Sequence, residues 1–148
     1  MSKIYVSGDH AGFELKAIII KFLEEKGFTV EDYGPSKYDS EDDYPDFVIP
    51  MAIKVSASKS RGIVIAGSGQ GENIACNKIR GIRSGLYHGG SLKIVNTGRA
   101  HNNLNILCFG SRFVTESEAK KAVNLFLKTK FNGGRHLRRL KKVGRILE

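Results

Sequence analysis

The residues best able to do chemistry lie in Gly62-Ile63-Val64-Ile65-Ala66-Gly67-Ser68-Gly69-Gln70-Gly71-Glu72-Asn73, where an apolar run ends in alternating glycines and a carboxylate follows. A buried strand feeding such a turn leaves backbone N–H groups bare at its carboxyl end, with the Ser68 hydroxyl and Glu72 beside them. Open α/β sheets hold small anionic ligands at that position. The segment is not a Walker loop, because no Gly-Lys-Ser/Thr closes it, and its glycine spacing departs from the GxGxxG of dinucleotide sites. A nest around Gly67, Gly69 and Gly71 could receive a phosphate, or an oxyanion that develops during a reaction. Glu72 alone would be a helix-dipole partner worth up to about 1 kcal/mol. Beside an oxyanion nest it becomes a candidate general base.

Other polar clusters carry weaker signals. Asp9-His10 directly follows the first apolar run, as a capping turn or as a pair that bonds sugar hydroxyls or phosphate. His101-Asn102-Asn103, just before the fifth run, reads in the same way, with a histidine able to shuttle protons near neutral pH. After Gly133-Gly134, Arg135 and Arg139 are i and i+4 on one helix face, so two guanidinium forks could converge on a phosphate. Arg138 points elsewhere, and Arg112 could add a third charge. The acidic stretch Asp39-Ser40-Glu41-Asp42-Asp43-Tyr44-Pro45-Asp46 lacks the glycine and terminal glutamate of a calcium loop and reads as solvated. The histidines have no zinc-ligand spacing with Cys76 and Cys108, and no metal or other cofactor is expected.

These groups need elements to hold them. Apolar and β-branched runs at Ile4–Val6, Phe28–Val30, Ile63–Ala66, Ile82–Tyr87 and Leu104–Phe109 predict strands, the first opening from Met1-Ser2-Lys3. Between them, Leu15, Ile18, Ile19, Phe22 and Leu23 repeat at helical spacing until Gly27. Helices are further expected from about Asp46 to Ser58 with Pro50 in its first turn or so, from Gly71 or Glu72, and from Ser91 to Arg99. Another starts at the Thr115-Glu116-Ser117-Glu118 capping box, and a basic one runs over about 133–146. Strands alternating with helices imply βαβ units, hence one doubly wound, Rossmann-like α/β domain over residues 1–148 with helices on both faces. The loops leaving the strands (Ser7–Gly12, Gly67–Glu72, Tyr87–Gly90, Gly110–Arg112) then gather on one sheet edge.

The chain has 148 residues, 41% of them hydrophobic and 26% charged, enough for one globular core. No secretory h-region opens it and no apolar run suits a membrane span, so a cytoplasmic protein is expected. The formal charge of +9 invites a nucleic-acid reading. More than half of it lies in residues 133–148, however, where Arg135, Arg138, Arg139, Lys141, Lys142 and Arg145 face Glu148 alone. No aromatic residues interleave with that charge to stack bases. A basic nucleic-acid module and a flavodoxin-shaped nucleotide-binding domain stand as the competing readings.

Taken in order, Gly8-Asp9-His10-Ala11-Gly12, Asp43-Tyr44-Pro45, Gly67-Ser68-Gly69-Gln70-Gly71-Glu72-Asn73-Ile74-Ala75 and Asn77-Lys78 resemble the ribose-5-phosphate isomerase B family. So do Gly81-Ile82-Arg83, His101-Asn102-Asn103, Gly110-Ser111-Arg112 and Gly133-Gly134-Arg135-His136, and the match covers essentially the whole chain. That family also includes galactose-6-phosphate and allose-6-phosphate isomerases. The resemblance implies a metal-free aldose–ketose isomerase that interconverts ribose 5-phosphate and ribulose 5-phosphate through a cis-enediolate, with a six-carbon phosphosugar as the alternative substrate. It implies a five-stranded parallel sheet and an anion hole at Gly67–Gly71 assisted by Ser68. His101 would open the furanose ring with Asp9 nearby, and His10, Arg135 and Arg139 would grip the phosphate beside Arg112 and Asn102. It further implies a homodimer or homotetramer whose active sites lie between subunits, reached by the last helix, with no nucleic-acid or membrane partner. Some members carry the base as a cysteine at the position of Ala66 and others as a glutamate after the glycine loop. With Ala66 and Glu72, this chain resembles the glutamate type, and Cys76 reads as packing.

Overall fold

Five short strands, β1 (Lys3–Gly8), β2 (Thr29–Asp32), β3 (Arg61–Ala66), β4 (Ser84–Tyr87) and β5 (Ile106–Gly110), pair in parallel in the order β2-β1-β3-β5-β4. The computed structural model describes residues 3–145. The expected start of β1 at Met1-Ser2 and the last residue of the expected basic helix, at position 146, lie outside them. The helices are α1 (Phe13–Glu25), α2 (Pro45–Ser58), α3 (Gln70–Asn77), α4 (Lys93–Asn102), α5 (Glu116–Lys128) and α6 (Arg135–Gly144). None of them is long and apolar enough to cross a membrane.

Strand periodicity explains the two faces. Along β3, Ile63 and Ile65 join one core cluster while Val64 joins the other, as successive side chains must. The first cluster packs Ile19 and Leu23 of α1, Val95 of α4 and Ala119, Ala122, Val123 and Phe126 of α5. The second packs Val48, Met51, Ala52 and Val55 of α2 and Cys76 of α3. A parallel sheet covered on both faces needs such continuous apolar strands.

Element ends follow local chemistry. The Thr115 side chain accepts from the Glu118 N–H at 3.1 Å and the Glu118 carboxylate accepts from the Thr115 N–H at 2.9 Å, which completes the capping box of α5. Helix α2 starts at Pro45, one residue before the expected Asp46, which puts Pro50 in its second turn. The fourth helix departs further from expectation. It starts at Lys93 and runs past Arg99 to Asn102, and Asn103 closes it in the left-handed region at φ 48°, its N–H on the Arg99 carbonyl at 3.1 Å. The Leu104 side chain fills the space a Cβ on Gly98 would take, so packing fixes a glycine that would otherwise weaken the helix. His101 and Asn102 therefore stand on a helix, not in a loop.

Phe126 is fully buried in the larger cluster. Phe126→Ala is expected to destabilise the fold by about 3–5 kcal/mol, read as a lowered urea midpoint at unchanged slope; a loss below about 1 kcal/mol would contradict its central place in the core.

Candidate active site

Strand order reverses between β1 and β3, since β2 lies on one side of that pair and β5 with β4 on the other. The crevice outside the carboxyl ends at such a switch point is the usual ligand position. The turn after β1 lies directly against the end of β3, because a Cβ on Gly8 or on Gly12 would collide with the Ile65 carbonyl. Asp9 is fixed there as an N-cap, with Oδ1 accepting from Ala11 N at 2.9 Å and Gly12 N at 3.2 Å. Across the crevice Gly69 takes φ 77° to enter α3, and Gly71 abuts the Tyr44 hydroxyl, so neither position accepts a side chain. Ser68 is half-buried, and its hydroxyl accepts from the Gln70 N–H at 3.3 Å. The first turn of α3 leaves its N–H groups without intrahelical acceptors, which gives the nest its donors.

Glu72 stands on that first turn and is 4% exposed. Burial, then a hydrogen bond with Asp9, then the charges of Asp9 and Asp42 push its carboxyl up to about 7. A hydrogen bond to its own backbone N–H opposes the shift but does not overcome it. Glu72 is thereby poised to take and return a proton near neutral pH, as a general base requires.

His10 occupies the same mouth, with Nδ1 2.7 Å from Asp42 Oδ1. That hydrogen bond raises its pKa, with the Asp42 and Asp9 charges adding to it and burial and Arg112 opposing. A histidine whose pKa is raised beside an anion nest can donate to a phosphate. The Arg112 guanidinium lies over Gly67, where an added Cβ would come within 3.1 Å of Nη1, and the Arg112 N–H donates to the Gly67 carbonyl at 3.2 Å. One sheet edge thus gathers Asp9, His10, Gly67, Ser68, Gly69, Gly71, Glu72 and Arg112.

His101, Asn102, Arg135 and Arg139 stand elsewhere. Helix α4 leaves the carboxyl end of β4 and returns along the sheet, so its last turn lies at the amino-terminal edge, where the Arg83 guanidinium donates to the Asn103 carbonyl at 2.8 Å. There His101 stacks on His136 at the start of α6, ring centroids 4.1 Å apart and planes 11° apart. Burial, then the charges of His101, Arg135 and Arg139, lower the pKa of His136 and favour its neutral ring. Arg135 and Arg139 are exposed beside it. Strands of five or six residues separate the two edges, roughly 16–20 Å. A single chain does not bring His101 to Glu72.

The structure adds three residues to the sequence-based set. Asp42, within the stretch expected to be solvated, has a side chain only 4% exposed and holds His10, while its Oδ2 is buried without a partner among the described residues. Asp39, Glu41, Asp43 and Asp46 are exposed as expected. Tyr44 packs on the glycine turn, and His136 supports the ring of His101. For Asp42 the sequence holds one cue, the adjoining Asp43-Tyr44-Pro45 motif; one buried acid among solvated ones has no pattern of its own.

Residues 4–143 match the model of a family described as Ribose/Galactose Isomerase. The chain is 46% identical over 142 residues to a probable ribose-5-phosphate isomerase B of Mycoplasma genitalium, covering 95% of this chain and 92% of that one. It is 41% identical over 140 residues to the ribose-5-phosphate isomerase B of Mycobacterium tuberculosis, covering 93% and 85%. A crystal structure of the Mycoplasma genitalium ribose-5-phosphate isomerase B with bound ribulose-5-phosphate superposes with a TM-score of 0.92 at 44% identity, covering 97% of this chain and 95% of that one.

The raised carboxyl of Glu72 has a consequence for stability. A folded state that holds this proton above the ordinary value of 4.5 loses stability as pH rises from there through about 7, because the unfolded chain releases the proton more readily. Glu72→Gln is neutral throughout, so its melting temperature should exceed that of wild type at about pH 8 and match it near about pH 4. An equal difference at both values, in paired thermal scans, would show that Glu72 is not held protonated by its site.

Proposed function

This chain belongs to the ribose/galactose isomerase family, and on that premise we propose that it interconverts ribose 5-phosphate and ribulose 5-phosphate with Glu72 as the base. The observation that carries the assignment is a buried carboxyl, its pKa near neutrality, beside a glycine turn of bare N–H groups. Relatives named for this reaction, at up to 46% identity over nearly the whole chain, support the choice of substrate.

In the aldose-to-ketose direction the Glu72 carboxylate takes the C2 proton. The C–H electron pair becomes the C1–C2 double bond, and the carbonyl pair moves onto O1 to give a cis-enediolate. N–H groups at Gly67, Gly69 and Gly71, with Ser68, receive the developing charge; one such donor is worth about 2.7–4 kcal/mol in a dry site. A proton passes from O2 to O1, the C2 carbonyl forms, and Glu72 returns its proton to C1. General-base catalysis of this kind contributes roughly 10²–10⁴-fold. Base and oxyanion donors together complete the route without a metal. His10, held by Asp42, and Arg112 hold the phosphate and orient the carbons, which spends binding energy away from the reacting centre on alignment.

His101, Asn102, Arg135 and Arg139 join this site from a second copy, in a cytoplasmic homodimer. His101 opens the furanose ring with Asp9, and the two arginines close on the phosphate. A two-fold interface delivers this arrangement twice, because each subunit then gives one edge and receives the other.

Glu72→Gln should reduce kcat by at least about 10³-fold in a coupled ribose 5-phosphate assay while KM moves little. Near-normal turnover would remove Glu72 from the role of base. The shared site is tested by mixing Glu72→Gln with His101→Ala after reversible dissociation. Each inactive alone, the two should recover about one quarter of wild-type activity, because half of the random dimers carry one site with neither lesion. No recovery in verified heterodimers would mean that both residues act within one chain.

A further inference from the structure

A second concentration of positive charge lies far from the glycine turn, at the amino-terminal edge of the sheet. Arg61 opens β3, Arg83 immediately precedes β4, and Arg99 stands in the last turns of α4. With Lys59, Ser60 and Asn103 they line a cavity of about 470 Å³, and no carboxylate is among its lining residues. Arg61 and Arg99 both lie against the Phe126 ring, their guanidinium carbons 5.6 and 6.0 Å from its centroid, and Arg83 and Arg99 both bond Asn103.

Each guanidinium is only partly satisfied. Arg61 Nη1 donates to the Phe126 carbonyl at 2.5 Å and the Leu127 carbonyl at 2.9 Å. Arg83 donates from Nε to the Asn103 carbonyl at 2.8 Å and from Nη1 to the Gly81 carbonyl at 3.3 Å. Arg99 donates from Nε to the Thr129 carbonyl at 3.3 Å, and from Nη1 to Asn103 Oδ1 at 3.0 Å and to the Leu104 carbonyl. Capping the ends of α4 and α5 in this way accounts for one cation at each, since the carbonyls at a helix C-terminus carry partial negative charge. It does not account for three held together. Burial, then repulsion from Arg61 and Arg83, pulls the Arg99 guanidinium down to about 10. Arg99 is buried and Arg61 and Arg83 are half-buried; a buried charge is costly unless paired, and among the described residues no anion pairs with these. The Nη2 group of each arginine remains without a protein acceptor there.

We propose that Arg61, Arg83 and Arg99 form a second anion site, built for a phosphate-class oxyanion, either inorganic phosphate or a phosphomonoester. A tetrahedral oxyanion offers several acceptors at once, and guanidinium forks match that geometry. Lys59 at the exposed rim and the Ser60 hydroxyl complete the donor set. Bound there, the anion ties the start of β3 to the ends of α4 and α5. Within one chain it lies apart from the catalytic mouth, which is at the other end of β3, roughly 20 Å away. On α4, Arg99 bonds the residues after α5, whereas His101 stacks on α6.

Calorimetric titration of the full-length protein with inorganic phosphate tests the site, with glycerol phosphate titrated in parallel. Wild type should bind two phosphates per chain, one in the catalytic mouth and one among the arginines. Arg61→Met keeps the apolar stem and should lose one of the two while kcat/KM for the sugar phosphate stays within about twofold. Lys59→Ala, which truncates an exposed side chain, should weaken the same event several-fold, so the outcome stands even where Arg61→Met fails to fold. The tighter of the two titrants identifies the source of the oxyanion. A single phosphate per chain in wild type overturns the proposal, and so does a second event that Lys59→Ala leaves unchanged.

Discussion

The turn after β1 can rest against the end of β3 only because Gly8 and Gly12 present no Cβ to the Ile65 carbonyl. That close approach sets the rest of the mouth. It brings Asp9, fixed by two backbone N–H groups, within hydrogen-bonding reach of the Glu72 carboxyl. Glu72 is then both buried and faced by carboxylates, the two conditions that hold a carboxyl protonated toward neutral pH. A wider crevice would let water and counter-ions in, and Glu72 would return toward an ordinary, weakly basic carboxylate.

Parallel βα connections explain why the remaining candidate residues lie elsewhere. Each helix that follows a strand carries the chain from the carboxyl edge back to the amino edge, and α6, which follows α5 with no strand between, starts from that amino edge. His101 ends α4 and Arg135 begins α6, and both belong to the far edge, where His136 supports the His101 ring. In the proposed dimer this separation becomes useful, since a two-fold axis can set one edge of each subunit against the opposite edge of the other. The cysteines stay out of this chemistry. Cys76 and Cys108 are buried in the cluster beneath α2 and α3, burial pushes the Cys108 thiol up, and Ala66 ends β3 without a nucleophile.

Local rules made much of the architecture readable in advance. The period of two in β3, the helical period of α1 and the capping box of α5 each act within a few residues, so linear order exposes them. Strand ends moved by only a residue or two, where packing and turn geometry decide. Helix α4 runs three residues beyond the expected Arg99, because its end is set by Asn103 in the left-handed region with its N–H on the Arg99 carbonyl, which residue type alone does not announce.

The sequence by itself determined the glycine turn, the carboxylate that follows it, the basic last helix and the alternation of strand and helix, because each is a pattern of residue type at fixed spacing. Tertiary structure alone decided which acid is buried with a raised pKa and which is buried against a histidine. Glu72 and Asp42 are both carboxylates, and only their burial beside Asp9 and His10 distinguishes them from the exposed acids near Asp42. It also divided the candidate residues between two sheet edges and gathered three arginines around one cavity. Burial and long-range charge depend on what packs from distant parts of the chain, and spacing along the sequence does not record that.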